Sequence, residues 1–291
     1  NGFSLESASL NQFSGEQGIE PSIVENNGES AFNLDSSDLI LRGGSVWDES
    51  SNNQNLSNRF VISGHEVGIK ARNGSLIELQ RVDIRNNTKK GIEISKNSTL
   101  STYLNRNESV EDGVVIENNG PNNGDCSNSD YGPGLEIEDN SVADLGFIKV
   151  IGNCDGIRVT KNSSLKGGWA GDDSNIDYGL IIQNNKRSGI YVAKNSIIDV
   201  KHLKLGGPNS NDGNSSLNDS GWHEEALEVQ ENSYAAIEQS LIEGNYGKAI
   251  ELEDNSIMIL EDSIIQKNGI GSSSNYHFEA INVSRNSIFE L

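Results

Sequence analysis

The chain has 291 residues, 43 acidic against 22 basic side chains, and a formal net charge of −21. An acidic surface of this kind excludes nucleic acid as a partner, which requires basic groups facing phosphate. It also disfavours an anionic membrane or a strongly anionic polymer, unless calcium bridges the charges. No run approaches the roughly 20 apolar residues of a membrane span, and no signal-peptide pattern opens the chain.

In chain order, one phrase recurs: Gly-Ile-x-Ile-x-x-Asn-Ser. Weak copies begin at Gly2, Ala31 and Gly68. Clear copies follow at Gly91-Ile92-Glu93-Ile94 with Asn97-Ser98, then at Gly134 with Asn140, Gly156 with Asn162, and Gly189 with Asn195. Alanine replaces the glycine at Ala226, Ala249 and Ala280, followed by Asn232, Asn255 and Asn286. Gly68 to Gly91 is 23 residues and Gly134 to Gly156 is 22. A period in this range marks a repeat architecture.

Within each unit the apolar residues alternate, which is strand periodicity. Three runs fit one unit. The first is the Gly-Ile-x-Ile phrase. The second follows Asn-Ser, as in Ile198-Asp199-Val200. The third ends in asparagine, as in Val82 to Asn87 or Leu180 to Asn185. Three short strands cannot bury their apolar faces alone, but stacked units about 4.8 Å apart can. The reading is an all-β solenoid of about ten coils, one domain over residues 1–291, with a narrow core that suits an apolar content of only 34%. Asparagine tolerates left-handed backbone, so the column from Asn97 to Asn286 is read as a turn, with amides able to bond along the axis. A second asparagine column follows the third strand at Asn27, Asn87, Asn119, Asn153, Asn185, Asn245 and Asn268.

This pattern resembles the right-handed parallel β-helix repeat of the pectin-lyase-like superfamily, along essentially the whole chain. The resemblance implies a fold shared by polysaccharide lyases, hydrolases, epimerases, tail spikes and adhesins, so it does not select a function. The chain opens on a first-strand phrase and stops after a second-strand phrase, Ile288-Phe289-Glu290-Leu291. It is therefore expected to be a segment of a larger protein or a subunit that stacks head to tail.

Cys126 falls in an insertion after one third strand, and Cys154 in the turn after the next. Stacking brings these regions together, which predicts a disulfide and an oxidising compartment. The alternative is two free thiols. Insertions occur between second and third strands (42–58, 101–112, 165–178) and after third strands (120–133, 206–225, 269–279), so both sets flank the third-strand face. They hold Trp47, Trp169, Trp222, Tyr131, Tyr178 and Tyr276. Two readings of these aromatics stay open: stacking on sugar rings, or covering an outward apolar stripe of Val61, Val115, Ile151, Ile181, Leu241 and Ile264.

Catalytic carboxylates on that face would come from Asp83, Glu117, Asp172, Asp173, Asp177 and Glu243. A glycosidase needs two carboxylates at a defined separation, and the sequence does not fix one. Glu117 should stack over Arg85 as an ordinary ion pair. Gly171-Asp172-Asp173 resembles one element of the polygalacturonase pattern, but Gly64-His65-Glu66 comes before it, where the pattern has Gly-His-Gly after it, and the Arg-x-Lys element is missing downstream. Asp173, Asn175 and Asp177 alternate oxygen ligands like the start of a calcium loop, without the glycine and distal glutamate such a loop needs. Glu93 over Glu136, and Glu228 over Glu251, should be relieved by cations or by solvent. Calcium is thus a possible ligand, and no other cofactor is called for. Two functions remain. One is a non-catalytic extracellular or virion-surface scaffold that contacts carbohydrate. The other is a polysaccharide-active enzyme with its groove on the third-strand face.

Overall fold

The computed structural model describes residues 2–13, 22–43, 46–47, 54–55, 59–102, 113–121, 126, 132–168, 178–207, 225–269 and 280–291. Its strands build a parallel β-helix. The second strands form one ten-stranded parallel sheet running from Ser9–Phe13 to Ile288–Glu290. First and third strands form a seventeen-stranded network. They merge because Ile23–Asp35 and Phe60–Arg72 each run through the corner from a third strand into the next first strand. Elsewhere the three strands of a coil are separate, as in Lys90–Ile94, Thr99–Ser101 and Val114–Glu117. Every repeat phrase from Gly68 to Ala280 lies at or within a first strand.

Alternation fixes the core. Ile92, Ile94, Leu100, Val114 and Ile116 of one coil are all essentially inaccessible to water. Each contributes roughly 1.5–3 kcal/mol of burial, and the same columns repeat above and below. The glycine that opens the phrase is a packing requirement. A Cβ on Gly91 would sit 2.5 Å from the Gly134 carbonyl oxygen and 2.6 Å from a methyl of Ile116.

Two ladders close the corners. Between first and second strands, two successive residues are left-handed, for example Lys96 (φ 55°) with Asn97 (φ 64°) and Arg285 with Asn286. The asparagines here are exposed. Their amides meet only at 3.5 Å, as between Asn255 and Asn232, so this column turns the chain and makes no amide ladder. The following serines carry the corner. The N–H of Ser75 donates to Ser98 Oγ, Ser98 to Ser141 and Ser141 to Ser163, each at 3.2 Å, inside the tube.

The amide ladder lies instead at the third-to-first corner. Asn87 Nδ2 donates to Asn119 Oδ1 (2.8 Å), Asn119 to Asn153 (3.0 Å), Asn153 to Asn185 (3.2 Å), and Asn245 to Asn268 (2.8 Å). Each oxygen also accepts a backbone N–H of the preceding coil. Each nitrogen reaches a carbonyl there, such as Ile84 from Asn119. Most of these groups are buried, so each run of the corner is satisfied because its successive coils supply the same side chain.

Cys126 and Cys154 form a disulfide, with Cα atoms 5.5 Å apart and both sulfurs buried. No helix among the described residues is long and apolar enough to cross a membrane.

Candidate functional site

The outward column of the first-strand sheet reads Asn33, Lys70, Glu93, Glu136, Arg158, Tyr191, Glu228, Glu251 and Asn282. These are the variable positions of the repeated phrase, stacked one per coil. Lys90, Asp155, Ser188, Glu225 and Lys248 stand beside this column. A trough of about 760 Å³ runs along this column, with Ser188, Tyr191 and Lys194 among its lining residues.

Charges in the trough are arranged in alternation. Lys70 and Lys90 each hold Glu93 at 2.8 Å, and Lys90 also binds Glu136. Arg158 lies 3.7 Å from Glu136 and 2.5 Å from Asp155, which Arg187 holds from the other side at 2.7 Å. Burial alone would lower the Lys90 pKa and raise that of Glu93. The facing charges prevail, so the Lys90 pKa ends above its ordinary value and that of Glu93 below. The stacked Glu93 and Glu136 are thus relieved by lysine and arginine of the same chain, rather than by a bound cation or by solvent. The Arg158 guanidinium also lies 5.8 Å from the centroid of the Tyr191 ring. The Tyr191 hydroxyl accepts from Gln230 Nε2 at 2.5 Å. Its pKa is raised by burial and then by the Glu228 charge.

The other end is acidic. Lys248 lies 3.4 Å from Glu225 and binds Glu251, which also accepts from Asn282 at 2.8 Å. Glu228 accepts from the Ser188 hydroxyl at 3.4 Å. Burial, and then the Glu251 charge, push the Glu225 carboxyl up to about 8. Glu251 moves below its ordinary value: burial opposes this, but hydrogen bonds from Lys248 and Asn282 outweigh it. Of the two carboxyls, Glu225 is therefore the harder to ionise and Glu251 the easier. A neutral carboxyl beside a charged one could act as an acid with a base partner.

On the third-strand face the sequence candidates are dispersed. Asp83 is held by Arg59 at 2.5 Å, and Glu117 stacks on Arg85 at 3.8 Å, as its register demands. Glu243 is buried and accepts from Gln266 at 2.8 Å. Glu117 and Glu243 stand four coils apart, about 19 Å at the strand spacing. Tyr178 is half-buried near Glu243; burial and then the Glu243 charge raise its pKa.

The expected apolar stripe is not continuous. Val61, Val115, Ile181, Leu241 and Ile264 share a column with Asp83, Lys149 and Lys204, while Ile151 belongs to the neighbouring one. More apolar surface is exposed on the second-strand sheet, at Val142, Ile197, Ile257 and Ile288 of one column. Asp172, Asp173, Asn175, Asp177, Trp169, Trp222, Tyr131 and Tyr276 lie outside the described residues. Of Trp47 only the backbone is described, paired antiparallel with Gln54. Among the described residues no group of three acidic, histidine or cysteine side chains is placed to hold a metal ion.

Sequence reasoning had flagged the stacked glutamates but missed their counter-ions and the Glu225–Glu251 pair. The signal was present in the variable position of the phrase, which is polar in nearly every coil. No family model, no curated protein and no solved structure matches this chain.

Proposed function

We propose that the chain is a non-catalytic extracellular β-helical scaffold, of the kind used in adhesins, stalks, fibres and tail spikes, that contacts carbohydrate through the loops flanking its third-strand sheet. The observation that carries this reading is how the carboxylates are used. Asp83, Glu117, Glu93, Glu136 and Asp155 each face an arginine or lysine of the same or the next coil. Charge used in this way fastens coils together, and it occupies these five carboxylates with counter-ions. The buried disulfide supports an oxidising compartment.

One observation favours the enzyme reading: Glu225, which burial makes hard to ionise, stands beside Glu251, whose carboxyl is shifted the other way. Lys248 contacts both carboxyls, which counts against it, because a glycosidase needs its two carboxyls on either side of a substrate.

A glycan array tests the proposal with wild type, a Trp169→Ala/Trp222→Ala variant and Tyr191→Ala. Binding that is lost with the two tryptophans and kept in Tyr191→Ala supports contact through the loops. Loss only in Tyr191→Ala moves the site to the trough, and no binding by the wild type removes the carbohydrate partner.

A further inference from the structure

The asparagine ladder contains one histidine. His65 stands three residues after the buried Ile62, as Asn87 stands three after Ile84, and it occupies the ladder position between Asn27 and Asn87. Its backbone N–H donates to Asn87 Oδ1 at 3.0 Å, as the other members donate to the next asparagine. Its ring reproduces two of the three amide functions. Nδ1 accepts the N–H of Asn27 at 3.2 Å, in place of the amide oxygen. Nε2 lies 3.2 Å from the Val24 carbonyl oxygen, in place of the amide nitrogen. The residue is 1% exposed.

Only one protonation state fits these contacts. Asn27 N–H is a donor, so Nδ1 must be bare. The Val24 carbonyl is an acceptor, so the proton must sit on Nε2. An imidazolium would point a second N–H at the N–H of Asn27 and place a buried charge with, among the described residues, no carboxylate at hydrogen-bond distance. The charged groups of the packed elements are paired elsewhere or exposed. Glu66, next to His65, is held by Lys89 at 2.6 Å, and Arg85 pairs with Glu117. Glu25, on the strand below, is exposed. An asparagine here would make the same bonds at every pH.

We infer that His65 is an acid-sensitive latch: protonation of its ring breaks the ladder between the coil of Ile23–Asp35 and that of Phe60–Arg72 and loosens the N-terminal coils. The direction of its titration agrees: burial lowers its pKa, the Val24 hydrogen bond offsets part of this, and the positive charge at the start of the chain adds to the lowering. The open form takes up a proton near the ordinary 6.5, while the closed form resists it. Acid therefore favours opening below about pH 6.5, and the latch is fully closed above it. A surface protein carrying such a latch would hold its N-terminal coils firmly at neutral pH and release them in an acidified compartment.

The test compares wild type with His65→Asn and His65→Gln. Hydrogen exchange is followed in peptides covering residues 22–35 and 60–72, from pH 7.5 to pH 5.0, with rates corrected for intrinsic pH dependence. The wild type should open more at pH 5.0, by up to about thirtyfold, the ceiling set by an open-state value near 6.5. His65→Asn should show no such rise, while peptides around Asn153 should behave alike in both proteins. His65→Gln provides a second comparison if His65→Asn does not fold, and should also lack the rise. An acid response that persists in both variants, or that is spread evenly along the solenoid, overturns the latch.

Discussion

Asn119→Ala probes the amide ladder at its centre. Asn119 Oδ1 accepts two donors from the preceding coil, the Asn87 backbone N–H (3.1 Å) and Asn87 Nδ2 (2.8 Å). Asn119 Nδ2 donates to the Ile84 carbonyl (3.1 Å) and to Asn153 Oδ1 (3.0 Å). Truncation thus strands two buried donors. The two acceptors each lose one bond, although Asn153 Oδ1 keeps the Asn119 backbone N–H at 2.9 Å. At about 1–3 kcal/mol for each buried donor left unsatisfied, the expected cost is about 3–5 kcal/mol. The control is Asn97→Ala, at the exposed turn with φ 64°. It removes no buried hydrogen bond and should cost about 1 kcal/mol, the penalty for left-handed backbone. Asn97→Gly should cost nothing measurable. Urea unfolding followed by far-ultraviolet circular dichroism gives the global effect, and hydrogen exchange at the Asn87 and Asn119 corners gives the local one. Equal costs for Asn119→Ala and Asn97→Ala would refute the argument that the internal ladder, and not the exposed asparagine column, holds the corners.

Replacing Cys126 and Cys154 by serine opens a 28-residue span and should cost about 3–4 kcal/mol by loop entropy; thiol titration of the denatured, unreduced wild type should find no free thiol. Glu225 supplies a pH dependence with a definite sign. The folded chain keeps this proton up to about pH 8, whereas an unfolded glutamate loses it near the ordinary 4.5. The folded state thus binds more protons between those values, and stability falls as pH rises through that window. Glu225→Gln should therefore gain stability relative to wild type between pH 5 and pH 8, read as a widening difference in thermal midpoint; a constant difference would mean that Glu225 is ionised in the fold.

Much of the architecture is legible in the sequence, because a solenoid writes each structural column as a repeated position. The alternation of Ile92 and Ile94 with Glu93 specifies strand, face and register together. The disulfide was accessible for the same reason, since one stacking step brings Cys126 over Cys154. The two asparagine columns could not be ranked from composition. Both recur once per coil, and only backbone geometry shows that Asn97 turns the chain outside while Asn119 bonds inside. The serine after Asn97 was read as part of a phrase, and its hydroxyl ladder emerged only from the corner geometry. The ladder role of His65 is hidden in the sequence because periodicity in residue type marks asparagine, whereas the ladder selects for a paired acceptor and donor, which a neutral imidazole also supplies. The trough was hidden by the large insertions, which drew attention to the third-strand face. The ion pairs that join one coil of the trough to the next link residues 22 to 46 positions apart, and those separations follow only from coil lengths that the insertions make unequal.

Incubation of the intact protein with a panel of neutral and acidic polysaccharides, with new reducing ends and unsaturated products measured after prolonged reaction, tests the central claim most directly. The account predicts no release from any polysaccharide, including those the protein retains on the array. Release that is abolished by Glu225→Gln, in a variant that remains folded, would contradict it and make the trough an active site.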